Sequence, residues 1–331
     1  MEFVALLLCL MALSAESIPK TSHFLSTKYI NQINNRQSTW KAGSNFHPAT
    51  PLSYLKMLAN DTKVMKHGHL LRMSMLVKKI SMPNEGEIPV EFDARKEWGA
   101  ICPTISEILD QGQCGSSWAI APAQAFTDRY CIATKGQFKE RLSTAHALNC
   151  EQSVGKGCYG GFDYMAWRYF YLEGIPTGGE FGSKQGCEPY TIPPSDDFES
   201  ETGPQECQTE CTNEEYTKPL NEDLKFAGDV YVLESDEDIK KDVLANGPVS
   251  VVFKVYMDFL SYKSGVYETP KGDVIDIGYH AAKLIGWGVE NDTPYWLLQN
   301  TWSEKWAEGG IFKIKQGDDI FQWATAGIPK L

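Results

Sequence analysis

Residues 111–118 read QGQCGSSW, a glycine-serine turn followed by a stretch of helical composition, Ser117–Tyr130. Pro122 sits inside that stretch, where a proline usually kinks or breaks a helix. Two downstream segments stand out beside it. Gly278-Tyr279-His280-Ala281 leads into an apolar run ending Ile285-Gly286-Trp287-Gly288, and Asn300-Thr301-Trp302 follows His280 by twenty residues. Each has a plain structural reading on its own. His280 reads as a buried, satisfied histidine, Gly160-Gly161 as a turn, and Trp118, Trp287, Trp296, Trp302 and Trp306 as core aromatics.

The N-terminus and the cysteines point to an oxidising compartment. Met1–Ala15 (MEFVALLLCLMALSA) is an apolar run that closes on small residues before Glu16-Ser17. That is the apolar region and cleavage zone of a signal peptide, with a buried N-terminal helix as the alternative. No later stretch reaches about 18 uncharged apolar residues, so no membrane span is expected. Of nine cysteines, Cys9 leaves with the signal peptide and eight remain. An even number behind a signal peptide reads as a disulfide framework, with on the order of a hundred possible pairings. No Cys/His group has zinc spacing, and neither a metal nor another cofactor is expected. A net charge of -12 argues against a nucleic-acid partner.

The 331 residues, 42% apolar and 22% charged, leave room for one large or two medium domains. Residues 16–87 lack cysteine and carry candidate helices at Thr27–Asn35 and Pro51–Leu58, with Tyr29, Ile30, Ile33 and Trp40 as an apolar stripe. They end in Pro83-Asn84-Glu85-Gly86-Glu87, an exposed turn suited to a processing cut. From Ile88 onward Trp, Tyr and Gly become frequent. Residues 174–222 read as long loops stapled by disulfides. Strands are expected at Gly247–Tyr256, Ala281–Trp287 and Tyr295–Gln299, and a short helix at Asp236–Leu244. Helices early and strands late give an α+β chain with two unlike halves.

Together these segments resemble the papain-like cysteine proteases, and among them the cathepsin B-like precursors. Those enzymes carry Cys-Gly-Ser/Ala-Cys-Trp/Tyr around the nucleophile, with His and Asn about 130–150 residues downstream in papain. Here Cys114-Gly115-Ser116 is followed by Ser117-Trp118, so serine stands where the nucleophilic cysteine is usual. The resemblance runs along nearly the whole chain. It includes YINQINNRQSTWKAGSNF (29–46) and LSYLKML (52–58) in the pro-segment. IPVEFDARKEW (88–98), CPTI (102–105), DRYCI (128–132), GCYGG (157–161), GPV (247–249), YKSGVY (262–267) and GWGVENDTPYWL (286–297) follow in order.

The resemblance implies a signal peptide over 1–15, a propeptide over 16–87 and a peptidase domain over 88–331. Its papain-like fold would have a helical left domain carrying Ser117, a β-barrel-like right domain carrying His280 and Asn300, and a cleft between them. It also implies the pairs Cys102–Cys131, Cys114–Cys158 and Cys187–Cys211, leaving Cys150 and Cys207 for a fourth bridge. Gln111 matches the oxyanion-hole glutamine, Trp302 the indole that shields the His-Asn pair, and Gly160 and Gly161 the glycines that admit substrate backbone. Tyr279 and Phe321 fall where the S2 pocket is expected, with Phe321 at its base. Pro193–Phe198 matches the occluding loop but lacks its histidines, and Asp196 and Asp197 would repel a substrate carboxylate.

A cysteine beside histidine at a helix N-terminus ionises before substrate arrives, because the dipole and imidazolium lower its pKa. A serine hydroxyl has no such option. It must lose its proton during attack, and in Ser-His-Asp systems a carboxylate supports that step. Asn300 is neutral. A peptidase homologue with no or strongly impaired catalysis and a retained peptide-binding cleft is therefore expected. The alternatives are a working endopeptidase acting by acyl transfer, and a secreted storage or structural protein. Expected partners are peptides or proteins in the cleft, the chain's own propeptide and cystatin-like inhibitors. Expected locations are extracellular or lysosomal, with glycosylation acceptors at Asn60 and Asn291.

Overall fold

The computed structural model describes residues 24–36, 39–59, 78–79, 86–153, 155–194, 206–272 and 275–331. The expected signal peptide, Asn60 and residues 195–198 of the altered loop lie outside them. The helices are α1 Thr27–Arg36, α2 Leu52–Leu58, α3 Ala94–Trp98, α4 Ser117–Ala133, α5 Thr144–Cys150, α6 Asp163–Leu172, α7 Leu220–Asp223 and α8 Asp236–Asn246. The strands are β1 Trp40–Ala42, β2 Lys78–Lys79, β3 Phe92–Asp93, β4 Phe226–Leu233, β5 Val249–Tyr256, β6 Tyr262–Tyr267, β7 Asp276–Glu290, β8 Thr293–Gln299, β9 Ile311–Lys315 and β10 Phe321–Lys330.

The helix read from Ser117 runs through Pro122 unbroken. Proline there withholds the N–H that would reach the Trp118 carbonyl, a loss of about 3 kcal/mol in an exposed helix. Trp118 and Phe126, on either side of it, are at most 1% exposed. Full burial of two such rings contributes about 1.5–3 kcal/mol or more each, which outweighs the missing bond. α4 is buried around its circumference, as befits a helix at the centre of a domain. α5 and α6 pack against it, and one apolar cluster gathers Trp118, Phe126, Leu148, Trp167 and Phe170.

The second half is a sheet in the order β1-β6-β9-β8-β7-β5-β10-β4-β2, with β3 pairing β7. Its pairings are antiparallel except β6 with β9 and β2 with β4. β7 is the spine. From His280 to Gly288 every residue is buried, because α4 covers one side and the sheet core the other. β7 and β8 join through Asn291-Asp292, both at positive φ (47° and 61°), a two-residue turn whose twist suits a hairpin.

The N-terminal segment shares the core of this sheet half. Leu25, Ile33, Trp40, Leu55 and Leu58 belong to the same cluster as Phe259, Tyr262, Trp302 and Trp306. Trp40 stacks on Tyr262 at 6.0 Å and lies 5.1 Å from Tyr267. Two buried ion pairs fasten α4 to the other half. Lys283 Nζ of β7 lies 2.6 Å from Asp128 Oδ2, and Arg129 pairs with Asp242 of α8. Among the described residues no helix is long and apolar enough to cross a membrane.

Candidate active site

Ser117 is the first residue of α4. The N-cap residue, Ser116, makes no side-chain cap; its Oγ lies 2.7 Å from the Tyr190 hydroxyl. That hydroxyl also donates to Gln111 O at 3.0 Å, so one buried tyrosine holds both ends of the segment before the helix. The Cys114–Cys158 disulfide pins its middle. The positive end of the helix dipole therefore lies at Ser117, held by a rigid turn.

On the facing wall, His280 Nε2 lies 2.8 Å from Asn300 Oδ1, and the Trp302 ring sits 4.8 Å from the imidazole. Asn300 Oδ1 also accepts from Thr301 N at 2.8 Å, which fixes the amide with its oxygen towards the histidine. The other ring nitrogen, Nδ1, lies 3.0 Å from the carbonyl oxygen of Leu58, in the N-terminal segment. Both imidazole nitrogens thus face carbonyl oxygens. A neutral ring has one N–H and satisfies one of them, while a protonated ring would satisfy both. Burial decides against the charge: the fully buried ring has its pKa lowered to about 4, with the two carbonyl contacts opposing.

Ser117 Oγ accepts from Ala281 N at 3.3 Å, and among the described residues no hydrogen bond joins it to His280. Gln111 crosses the cleft floor. Its N donates to Thr301 O at 2.9 Å, its Nε2 to Cys114 O at 2.7 Å, and Thr301 Oγ1 donates to its Oε1 at 2.6 Å. The Gln111 amide is thereby oriented beside the helix start, with a second Nε2 hydrogen to spare. An acceptor, a neutral base, a small hydroxyl and two donor groups are assembled. No charge assists the hydroxyl, and every cysteine among the described residues is disulfide-bonded: Cys102–Cys131, Cys114–Cys158, Cys150–Cys207 and Cys187–Cys211.

The structure brings Ser117, Gln111, His280, Asn300 and Trp302 together. Gly160 adopts φ 105°, closed to most side chains, and a Cβ on Gly161 would meet the Trp118 ring at 2.4 Å. Glycine at 161 is thus demanded by internal packing. The segment that does approach a glycine is the N-terminal one, with Met57 O lying 3.0 Å from where a Gly115 Cβ would be. Phe321 does not stand beside Tyr279. Its ring stacks on Trp296 at 5.9 Å, whereas Trp323 belongs to the cluster against which Tyr279 packs. A bulge between Phe321 and Trp323 breaks the two-residue alternation of β10 and turns the two rings to different neighbours. Trp323 Nε1 donates to the buried Asp163 at 3.0 Å. His146, apart from the cleft group, contacts Glu188 at 2.6 Å and Tyr169 at 3.2 Å. Sequence reading passed over Thr301, Tyr190 and Leu58. Thr301 stood between two flagged residues; the other two carry no local signal.

This fold and this cleft have counterparts. Residues 88–328 match the papain family cysteine protease model and residues 25–59 the peptidase family C1 propeptide model. The chain belongs to the papain family of cysteine proteases, as a cathepsin B-like peptidase homologue preceded by a propeptide. It is similar to "Cathepsin B-like cysteine proteinase 4" of Caenorhabditis elegans, at 35% identity over 328 residues, 95% of this chain and 94% of that one. To the "Cathepsin B-like cysteine proteinase" of Schistosoma japonicum it is 40% identical over 243 residues, 70% of each chain. Among solved structures, proCathepsin B S9 from Trypanosoma congolense superposes with a TM-score of 0.79 at 33% identity, over 93% of this chain and 99% of that one.

Proposed function

We propose that this chain is a secreted cathepsin B-like pseudoprotease whose cleft binds peptides or protein segments without efficient cleavage. The observation that carries the reading is Ser117 at the start of α4, facing a neutral His280 whose partner is the uncharged Asn300. In a serine protease, replacing the triad Asp by Asn alone lowers kcat about 10⁴-fold, so a serine working with Asn300 starts from a comparable deficit. The propeptide, residues 16–87, blocks the cleft through its Leu58 segment until another protease removes it, since a chain without activity does not process itself. Leu58 O against His280 supports that arrangement. Cystatin-like inhibitors fit the emptied cleft. Extracellular release, or delivery to lysosomes, follows from the signal peptide at 1–15 and the four disulfides. Asn291, exposed at its hairpin turn, is open to glycosylation.

The test is peptidase activity on fluorogenic peptides after the propeptide is removed with an added protease. Ser117→Cys should raise kcat/KM by roughly 10³-fold or more, because thiolate formation restores the charge the hydroxyl lacks. Wild-type turnover within about tenfold of the variant overturns the reading and favours slow serine-type acyl transfer, for which the oriented Gln111 amide is the supporting feature.

A further inference from the structure

A cavity of about 50 Å³ opens along α4 on the stripe Ile120, Gln124 and Thr127, three, seven and ten residues beyond Ser117. That is several times the roughly 10–15 Å³ one water needs. Leu109, Ile120, Leu142, Phe181, Tyr190 and Pro194 contribute to its apolar wall. Gln124 is 8% exposed, and its Oε1 has no hydrogen-bond partner, while its Nε2 reaches Glu107 O only at 3.4 Å. A buried acceptor left unpaired is costly, so the carbonyl has reason to seek an N–H or O–H.

The charges select the sign of what can enter. Arg141 is the cation among the lining residues. Its guanidinium is already shared by Glu107 at 2.6 Å and Glu180 at 2.7 Å. Asp110, whose Oδ1 accepts from Gly112 N at 2.8 Å, and Asp128, paired with Lys283, add carboxylates. Anions are therefore disfavoured and donors or cations favoured. Tyr190, which forms part of the wall, bonds Gln111 O and lies 2.7 Å from Ser116 Oγ, so an occupant lies one side chain from the residue before Ser117.

We propose that this cavity is a second ligand site, separate from the peptide cleft, that takes a small apolar molecule bearing a primary amine. The hydrocarbon packs between Ile120, Leu142 and Phe181, and the amine donates to Gln124 Oε1. The site does not depend on whether Ser117 is catalytically competent.

Isothermal titration of the full-length protein with propylamine, and with propionate as the charge-reversed probe, tests it. The amine should bind saturably at one site with a Kd of about 10 mM or tighter, and propionate about tenfold more weakly or not at all. Gln124→Leu keeps the volume and removes the acceptor, and should weaken the amine about tenfold. Leu109→Trp fills the space from a half-buried position, keeps the acceptor and should abolish binding. If circular dichroism shows one variant unfolded, the other variant and the pair of probes decide. Absence of saturation, equal affinity for both probes, or unchanged affinity in each folded variant overturns the site and leaves a water-filled void.

Discussion

The two halves of the peptidase domain are held by different means. All four disulfides lie between residues 102 and 211, in the half built around α4, and none lies between 226 and 330, where the sheet is. The helical half contains long irregular stretches, such as 173–194 and 206–219, with few ladder hydrogen bonds, and cross-links restrict the unfolded chain in their place. The sheet half satisfies its backbone through continuous pairing and needs no staple. The propeptide chooses the second half: Trp40–Ala42 adds a strand to β6, and Leu55 and Leu58 enter its core. The cleft group is divided the same way, with Ser117 and Gln111 on the stapled side and His280, Asn300 and Trp302 on the laddered side. Placement of the site groups thus depends on the contacts that tie one half to the other, among them the buried ion pairs of α4.

Cutting one of those ties should have the largest effect. Lys283→Met leaves Asp128 buried without its cation, and should cost about 3–5 kcal/mol, read as a fall in the urea midpoint. Removing a staple should cost somewhat less. The double variant Cys150→Ser and Cys207→Ser should lose about 2–4 kcal/mol. Hydrogen exchange should report the loss at α5 and the 206–215 loop while β7 amides keep their protection; equal loss in both halves would mean that they unfold as one unit.

The pH dependence sharpens the comparison within the sheet half. An unfolded histidine titrates near 6.5 and folded His280 at about 4, so the unfolded chain takes this proton first as pH falls. The folded state loses up to about 3 kcal/mol between those values. Asp258, raised to about 6 by burial, works in the opposite direction. Its stability contribution, also up to about 3 kcal/mol, is fully present below about pH 4 and is lost as pH rises through 6. Denaturant midpoints between pH 7 and 4.5 should separate them: His280→Gln should make the protein gain stability on acidification, and Asp258→Asn should make it lose stability. The smallest effect is local to the sheet half. Ser235 caps α8 by accepting from Asp238 N at 3.0 Å, and Ser235→Ala should cost about 1 kcal/mol in thermal unfolding.

The sequence alone carried the start of α4, the strand that bears His280 and the loop that bears Asn300 and Trp302. Each is encoded locally: a Gly-Ser turn before a helical run, an apolar stretch before Gly-Trp-Gly, and a polar pair at the end of a strand. Tertiary packing decided the rest. Pro122 stays within its helix because buried rings on both sides outweigh one missing hydrogen bond. Phe321 faces Trp296 because a bulge, invisible in composition, shifts the register of β10. The Tyr190 brace on QGQCGSSW and the Leu58 carbonyl over His280 join residues 74 to 222 positions apart. No short window of sequence contains such pairs; only the folded chain brings them within reach of a hydrogen bond.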